Sequence, residues 1–260
     1  MRLLFIVMFL MKIFVGFSQD TTAYESHIFF KAGSGLPYRL LLPQHLDSSR
    51  RYPLIVFLHG ANQKGNDNEA QLAIGGRFFL RQQNRDSFPA VIIFPQCPEN
   101  DAWADFSVDM DSATHEVKRL IFPFGRPTRI SATLIQLVDS FTHLGFVNNK
   151  QVYIAGLSQG GMGVLDLIAR YPNTFAAALS ICGVGDISTA KRFAGRVALW
   201  LFHGNKDDVI PVYYSREYYK KLKKEKADVR YSEYENVFHN SWVNALNEPR
   251  LLQWLFSKSK

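Results

Sequence analysis

Short, nearly unbroken apolar runs recur along this chain and predict its strands. Runs of four to eight apolar residues are typical of strands buried on both faces of a parallel sheet. The final run, VRYSEYE, is more polar, which favours a position at the edge of the sheet. The eight predicted strands cover residues 27–32, 38–43, 52–60, 90–96, 151–158, 175–181, 197–204 and 229–235.

The segments between most of these runs follow a helical period instead. Residues 130–145 place apolar side chains at positions 134, 135, 137, 138, 141 and 144, close to a repeat of 3.6. Further helices are predicted at 161–172, 211–224 and 249–258. Strands that alternate with helices indicate βαβ units, and so an α/β fold with a mostly parallel eight-stranded sheet covered by helices on both faces.

Residues 99–129 do not follow either period. The segment holds acidic and aromatic residues and two prolines, without a clear repeat. We predict that it is an irregular loop inserted beside an active site.

The first eighteen residues differ from the rest of the chain. Arg2 precedes the apolar stretch Leu3 to Met11, and the small residues Gly16 and Ser18 follow. This pattern predicts a cleaved export signal over residues 1–18, and therefore a secreted or periplasmic protein with one domain over 19–260. An uncleaved anchor and a buried strand are the alternatives. Lys12 makes the run too short and interrupted to span a bilayer comfortably, so no stable membrane insertion is expected.

Size and charge narrow the class of protein. A chain of 260 residues that is 47% hydrophobic suits one large domain with a sizeable core. The net charge is +7, and residues 220–230 hold much of the excess on one predicted helix. Such a run is typical of a solvated helix face, and no basic stripe is interleaved with aromatic residues, so a nucleic-acid partner is not expected.

The strongest motif is Gly156-Leu157-Ser158-Gln159-Gly160, between a predicted strand and a predicted helix. A serine nucleophile must project from a sharp turn, and small residues two positions before and after it let the backbone approach closely. The helix that follows directs its N–H groups toward developing negative charge. A glycine-rich structural turn is the alternative.

Several segments together resemble the α/β-hydrolase superfamily. More narrowly, the chain is similar to the bacterial "predicted peptidase" esterases, which resemble polyhydroxybutyrate depolymerases and feruloyl and acetyl esterases. This resemblance implies a serine-dependent carboxylic ester hydrolase that needs no cofactor. Relatives often have methionine where this chain has Gln159. The matching segments are YPLIVFLHGANQKGNDNEAQL, FPQCPENDAW, QVYIAGLSQGGMG, DLIARYPNTFAAALSICGVGD, LFHGNKDDVIPV and FHNSW.

A serine nucleophile needs a histidine base and an acid that orients it, and in this fold they follow in the order serine, acid, histidine. Of the two histidines after Ser158, His239 lies on a predicted loop and is the expected base. His203 ends a strand and is interpreted as structural.

The acid is predicted from the segment HGNKDDVIP. The spacing of the similar family selects Asp207, with Asp208 as a solvated neighbour. The roles of these two could be reversed, and Asp186 is a third option one strand earlier.

Two backbone N–H groups are expected to bind the oxyanion. One belongs to Gln159, after the nucleophile, and the other to Ala61, after the third strand. Trp103 and Trp242 lie on loops that this fold gathers around the nucleophile, and either could stack on a sugar or aromatic acyl group, or merely pack under its loop.

These features predict a small-molecule or oligosaccharide ester substrate, with a short or aromatic acyl group. A serine peptidase that uses the same triad is the alternative, and a binding protein that has lost catalysis is a third reading. The seven histidines show no metal-binding spacing, so no metal is expected. In the strand order of this fold, two strands separate those that end near Cys97 and Cys182, so these cysteines are not expected to pair.

Overall fold

The computed structural model describes residues 21–31, 33–110 and 117–260. The predicted export signal at 1–18 lies outside these residues. The strands of the main sheet are β1 Glu25–Lys31, β2 Ser34–Leu41, β3 Tyr52–Leu58, β4 Val91–Pro95, β7 Val147–Leu157, β8 Ala177–Ile181, β9 Ala198–Gly204 and β10 Val229–Tyr234. A separate hairpin contains β5 Ser107–Met110 and β6 Val117–Ile121.

The main sheet has the strand order β1-β2-β4-β3-β7-β8-β9-β10. In this order, each pair of neighbouring strands from β4 through β3 to β10 is parallel. By contrast, β1 pairs with β2, and β2 with β4, in antiparallel orientation. The predicted eight-stranded, mostly parallel sheet is therefore confirmed. The polar run that predicted an edge strand is β10, which does lie at an edge.

Three longer helices and one short helix correspond to the predicted ones: α3 Arg129–Thr142, α4 Gln159–Arg170, α6 Tyr213–Lys224 and the short α8 Leu251–Phe256. Four short helices were not predicted from the sequence: α1 Gly76–Leu80, α2 Gln82–Ser87, α5 Ala190–Phe193 and α7 Trp242–Ala245. Each has six residues or fewer, too few to establish a helical period.

The sheet separates two hydrophobic layers. Strand β3 is buried along its whole length because its side chains alternate between these layers. Leu54, Val56 and Leu58 pack with α3 and α4 on one face. Ile55 and Phe57 pack with α1 and α8 on the other. This double burial explains why the central strands have continuous apolar sequences.

The segment predicted as an irregular loop contains regular structure. Strands β5 and β6 form an antiparallel hairpin with a register shift between Asp109 and Met110. The hairpin is tied to α6 because the backbone N–H of Leu120 donates to the Tyr214 hydroxyl at 2.9 Å. Its strands are short and carry charged residues, so they lack the apolar alternation that identifies a strand in sequence.

Cys97 follows β4 and Cys182 follows β8, and strands β3 and β7 lie between them in the sheet. Both thiols are free and buried. No helix in the described part of the chain combines the length and apolarity needed to cross a membrane.

Candidate active site

Ser158 occupies a sharp turn between the end of β7 and the start of α4. Its backbone has φ 51° and ψ −120°, a conformation that non-glycine residues rarely adopt. Strained conformations of this kind persist where the surrounding structure holds them. A Cβ at Gly160 would overlap the carbonyl oxygens of Leu58 and His59, so glycine is required for α4 to approach β3. The turn leaves the Ser158 side chain partly exposed.

Three side chains from three different loops meet at this turn. His239 Nε2 lies 3.0 Å from Ser158 Oγ. The other ring nitrogen, Nδ1, lies 2.9 Å from Asp207 Oδ2 and 3.0 Å from Oδ1. This arrangement allows the histidine to accept the serine proton while the carboxylate stabilises the resulting imidazolium.

The Asp207 carboxylate is fully buried but well supplied with donors. Its Oδ1 accepts hydrogen bonds from the backbone N–H groups of Val209, at 3.0 Å, and Ile210, at 2.8 Å. Burial alone would raise the pKa of this carboxyl, yet hydrogen bonds from His203, His239 and Ile210 outweigh that effect and hold the pKa well below its usual value. Asp207 is therefore an anion at neutral pH.

His203 lies on the buried side of the same carboxylate. Its Nε2 is 3.1 Å from Asp207 Oδ2 and 2.9 Å from the carbonyl oxygen of Ile210. Its Nδ1 is 2.7 Å from the Ser215 hydroxyl. An Nε2–H donor serves the two oxygens, while Nδ1 can accept from the Ser215 hydroxyl. The sequence interpreted His203 as a structural residue at the strand end next to the acid-bearing loop, and the structure adds its direct contact with the Asp207 carboxylate.

The loop that carries His239 packs directly on the loop that carries Asp207. The backbone N–H of Lys206 donates to the Val237 carbonyl at 2.9 Å. A Cβ at Gly204 would overlap that same carbonyl oxygen. The absence of a side chain at Gly204 thus permits the close approach that brings His239 to the acid.

The other two candidate acids lie elsewhere. Asp208 is exposed, and His239 Nδ1 contacts the carboxylate of Asp207 instead. Asp186 accepts a hydrogen bond from the Ser188 N–H at 2.8 Å and so caps the short helical turn that follows. The structure therefore brings Asp207, and neither alternative, to His239.

The two predicted oxyanion donors also lie beside the serine. Gln159 is the first residue of α4, and Ala61 is the first residue of a short 3-10 helix, so neither N–H has an acceptor within its own helix. A Cβ on Gly60 would lie only 3.6 Å from the Ser158 Cβ, which places the Ala61 turn against the nucleophile. The Gln159 side chain is itself buried, and its Oε1 has no hydrogen-bond partner among the described residues.

A family model of phospholipases and carboxylesterases matches residues 47–250. The chain belongs to the phospholipase/carboxylesterase family. No curated protein matches the chain.

Solved structures agree with this assignment. A thermostable esterase is 32% identical, with a TM-score of 0.80, and the match covers 92% of this chain and 64% of that one. This carboxylesterase-family chain therefore spans less than two thirds of the length of that esterase.

More distant solved structures share the α/β-hydrolase fold. A ferulic acid esterase is 15% identical, with a TM-score of 0.65, over 89% of this chain and 97% of its own. A puromycin-hydrolyzing peptidase of Mycobacterium tuberculosis is also 15% identical, with a TM-score of 0.64, over 91% of this chain and 40% of its own. At this identity the likeness concerns the fold alone.

In this carboxylesterase-family site, Trp103 is not placed to touch a substrate. Its side chain is fully buried, and its indole N–H donates to the His59 carbonyl at 3.2 Å. The prediction that Trp103 stacks on a substrate is therefore wrong. The residue instead supports the turn that carries Ala61.

His59 holds the same turn from the inside. Its Nε2 accepts a hydrogen bond from the Cys97 N–H at 2.9 Å, so the Nδ1 proton is free to bond the Gly60 carbonyl at 2.7 Å. Burial lowers the pKa of His59 to about 4 and keeps the ring neutral. The sequence placed His59-Gly60-Ala61 at the expected oxyanion turn, with a plain strand-ending turn as the alternative, but the hydrogen bonds of His59 were not foreseen.

Trp242 is partly buried and contacts the proposed base directly. Its ring meets the His239 ring edge to face, with centroids 5.7 Å apart. It can therefore support the histidine as well as line the site. The described residues also contain a cluster with metal-like spacing, Cys182, Asp207 and His239, but the latter two already form the hydrogen bond described above.

Proposed function

We propose that this protein is a serine carboxylic ester hydrolase that acts through an acyl-enzyme. The observation that carries the proposal is the continuous hydrogen-bonded series from Ser158 through His239 to Asp207, with distances of 3.0 and 2.9 Å. The first distance lies within the reach needed for proton transfer, and the second lets the carboxylate hydrogen-bond and orient the histidine. Membership of the phospholipase/carboxylesterase family supports the same reaction.

In the first step, Ser158 Oγ attacks the ester carbonyl carbon while His239 Nε2 takes the hydroxyl proton. The carbonyl oxygen becomes an oxyanion, which accepts hydrogen bonds from the N–H groups of Ala61 and Gln159. When the tetrahedral intermediate collapses, the bond to the alcohol oxygen breaks. His239 then returns its proton to the departing alcohol.

In the second step, water attacks the acyl-enzyme. His239 accepts a proton from the water, the acid is released, and Ser158 recovers its proton. The anionic Asp207 stabilises the imidazolium in both steps and fixes the tautomer that presents Nε2 to the serine. No cofactor is required for this sequence.

We assign the substrate class as short or aromatic acyl esters of carbohydrates. The segment before α3 carries Asp101, Asp105 and Asp109, whereas a lid for long lipid chains would be expected to be apolar. Trp242 beside His239 offers an aromatic contact near the ester. The ferulic acid esterase of the same fold supports this choice by analogy.

The alternative is a serine peptidase, because an amide is cleaved by the same triad and a peptidase shares the fold. Relative kcat/KM on a feruloylated or acetylated xylo-oligosaccharide, a long-chain nitrophenyl ester and a peptide amide distinguishes the two. We expect the carbohydrate ester to be preferred. A tenfold preference for the peptide or the long-chain ester would contradict the assignment.

We also propose that the protein is exported and that residues 1–18 are removed. The basic start, apolar centre and small residues of that segment support the proposal. Intact-mass measurement of the protein from its native host should give a chain that starts at Gln19. A mass that still includes Met1 would exclude cleavage.

A further inference from the structure

A second cleft lies beside the proposed active site and takes no part in the triad. It has a volume of about 390 Å³, within the ~300–1,000 Å³ range of small-molecule sites. Its walls are the second strand of the hairpin, the segment after β8 and the first turns of α6. The lining residues used below are Arg119, Ile121, Asp186, Ile187, Tyr213 and Glu217.

We propose that this cleft binds sugar rings of the alcohol part of the substrate. The proposal deepens the ester hydrolase function given above and rests on it. The cleft would hold rings that extend beyond the ester, while Ser158 acts on the acyl group.

Exposed apolar surface points to a ligand. Tyr213 is 61% exposed, Ile187 42% and Ile121 38%, and all three line this one cleft. Clustered apolar side chains of this size on a surface mark interaction sites more often than isolated ones do. The Tyr213 ring is held by an edge contact with Tyr214, with centroids 5.8 Å apart, so it presents a fixed aromatic surface.

The charged groups of the cleft favour a neutral, polyhydroxylated ligand. Arg119 is paired with Asp109 at 2.9 Å, and Glu217 with Lys220 at 2.7 Å. The third charged lining residue, Asp186, accepts a hydrogen bond from the Ser188 N–H, so the cleft holds one carboxylate outside these ion pairs and no strong net field for an ionic ligand. Carboxylate oxygens accept hydrogen bonds from sugar hydroxyls and a guanidinium donates to them. A lipid chain would instead remove these charged pairs from water without offering them any hydrogen bonds, at a cost in free energy.

The cleft is connected to the triad through one small apolar cluster. Met162, Val184 and Ile210 belong to this cluster, and Tyr214 from the cleft wall packs against it. The Met162 N–H bonds the Ser158 carbonyl at 3.0 Å, and the Ile210 N–H bonds Asp207 at 2.8 Å. A ligand in the cleft therefore lies about one layer of side chains from the reacting serine. That separation suits a substrate that extends by one or more sugar rings.

The kinetic test compares Tyr213→Ala with the unaltered protein on two esters. The first is an acetylated xylo-oligosaccharide, and the second is nitrophenyl acetate, which is too small to reach the cleft. An aromatic contact contributes about 0.5–1.5 kcal/mol, so KM for the oligosaccharide should rise roughly three- to tenfold with kcat little changed. The nitrophenyl ester should be hydrolysed as before.

Two further variants control for other causes. Tyr213→Phe keeps the ring and should keep the low KM. Phe30→Ala removes an aromatic side chain that is 73% exposed on the edge strand β1, and it should leave both substrates unaffected. Glu217→Gln provides an independent change in the cleft and should also raise KM for the oligosaccharide alone.

Direct binding separates failure of this inference from failure of the proposed function. Titration calorimetry of the Ser158→Ala protein with an ester-free xylo-oligosaccharide should show binding that Tyr213→Ala weakens. Absence of such binding, or equal KM in Tyr213→Ala and Phe30→Ala proteins, would overturn the sugar site. If the unaltered protein did not hydrolyse the nitrophenyl ester, the esterase function would be overturned instead.

Discussion

A histidine lies on each side of the Asp207 carboxylate, and the two histidines have different surroundings. On the buried side, His203 is fully enclosed and lies 3.1 Å from Oδ2. On the open side, the His239 side chain is 17% exposed and lies 2.9 Å from the same oxygen. Both rings hydrogen-bond one anion, so contact with the acid does not by itself make a histidine a base.

The difference lies in the second nitrogen of each ring. His203 uses its remaining nitrogen to bond the Ser215 hydroxyl at 2.7 Å, and no substrate can reach it. His239 directs its remaining nitrogen to Ser158, on a partly exposed turn. A proton can be exchanged with substrate and water only on that side. Because of this difference in burial, His203 orients the acid and His239 reacts.

The largest expected effect comes from the open side. Ser158→Ala or His239→Ala should each lower kcat by about 10⁶-fold, because triad members act as one unit. The double variant should be little worse than either single variant. Thermal unfolding of each variant should stay near that of the unaltered protein. Additive losses in the double variant would contradict a shared mechanism.

The next effect tests the carboxylate itself. Asp207→Asn should lower kcat by about 10⁴-fold, because an amide no longer stabilises the imidazolium or fixes its tautomer. Asp208→Asn is the matched control, since its side chain is exposed and adjacent in sequence. Its turnover should change little. A greater loss from Asp208→Asn would show that the acid has been assigned to the wrong residue.

The buried side should produce a smaller and different effect. His203→Ala removes a hydrogen bond from Asp207 and leaves the Ser215 hydroxyl with only its 3.5 Å contact to the Gly183 carbonyl. We expect kcat/KM to fall by about ten- to a hundredfold and the free energy of unfolding by about 1–3 kcal/mol. Chemical denaturation and steady-state kinetics measure the two. If His203→Ala lost as much turnover as His239→Ala without loss of stability, the division of roles would fail.

A third histidine extends the comparison through the pH dependence of stability. The pKa of His59 is lowered by burial from 6.5 to about 4, so between these values the unfolded chain binds a proton that the folded protein does not. Stability should therefore fall as the pH falls through this window, by about 1.4 kcal/mol per pH unit. Unfolding measured from pH 7 to pH 4 should show a shallower decline for His59→Gln. Identical profiles would mean that His59 is protonated in the folded state.

Much of the fold followed from local sequence because the central strands are buried on both faces. The continuous apolar runs of β3 and β9 record that burial directly. The hairpin at 107–121 could not be found this way. Its strands carry charged residues such as Asp109 and Arg119, and Leu120 with the flanking Phe106 and Phe122 packs against a separate small cluster.

The residues of the candidate site also differ in how well the sequence could predict them. The nucleophile was predictable because the turn at Ser158 imposes glycines at fixed positions, and the base because few histidines follow it. Trp103 was misjudged because sequence gives a residue's place on a loop but not the direction of its side chain. Its burial depends on Gly163, where a Cβ would overlap the Trp103 Cβ, and on the His59 carbonyl that it bonds.

The contact between Gly160 and the end of β3 has a consequence for how this enzyme family can diversify. Because the nucleophile turn and the Ala61 turn touch through bare backbone, they move as one rigid part. A substitution that shifts one shifts the other, so catalytic geometry cannot be retuned in small steps there. Changes in substrate preference should instead accumulate in the hairpin and the start of α6, whose side chains pack against this part through one small cluster. Directed evolution that is restricted to those two segments should yield altered specificity with the chemistry preserved.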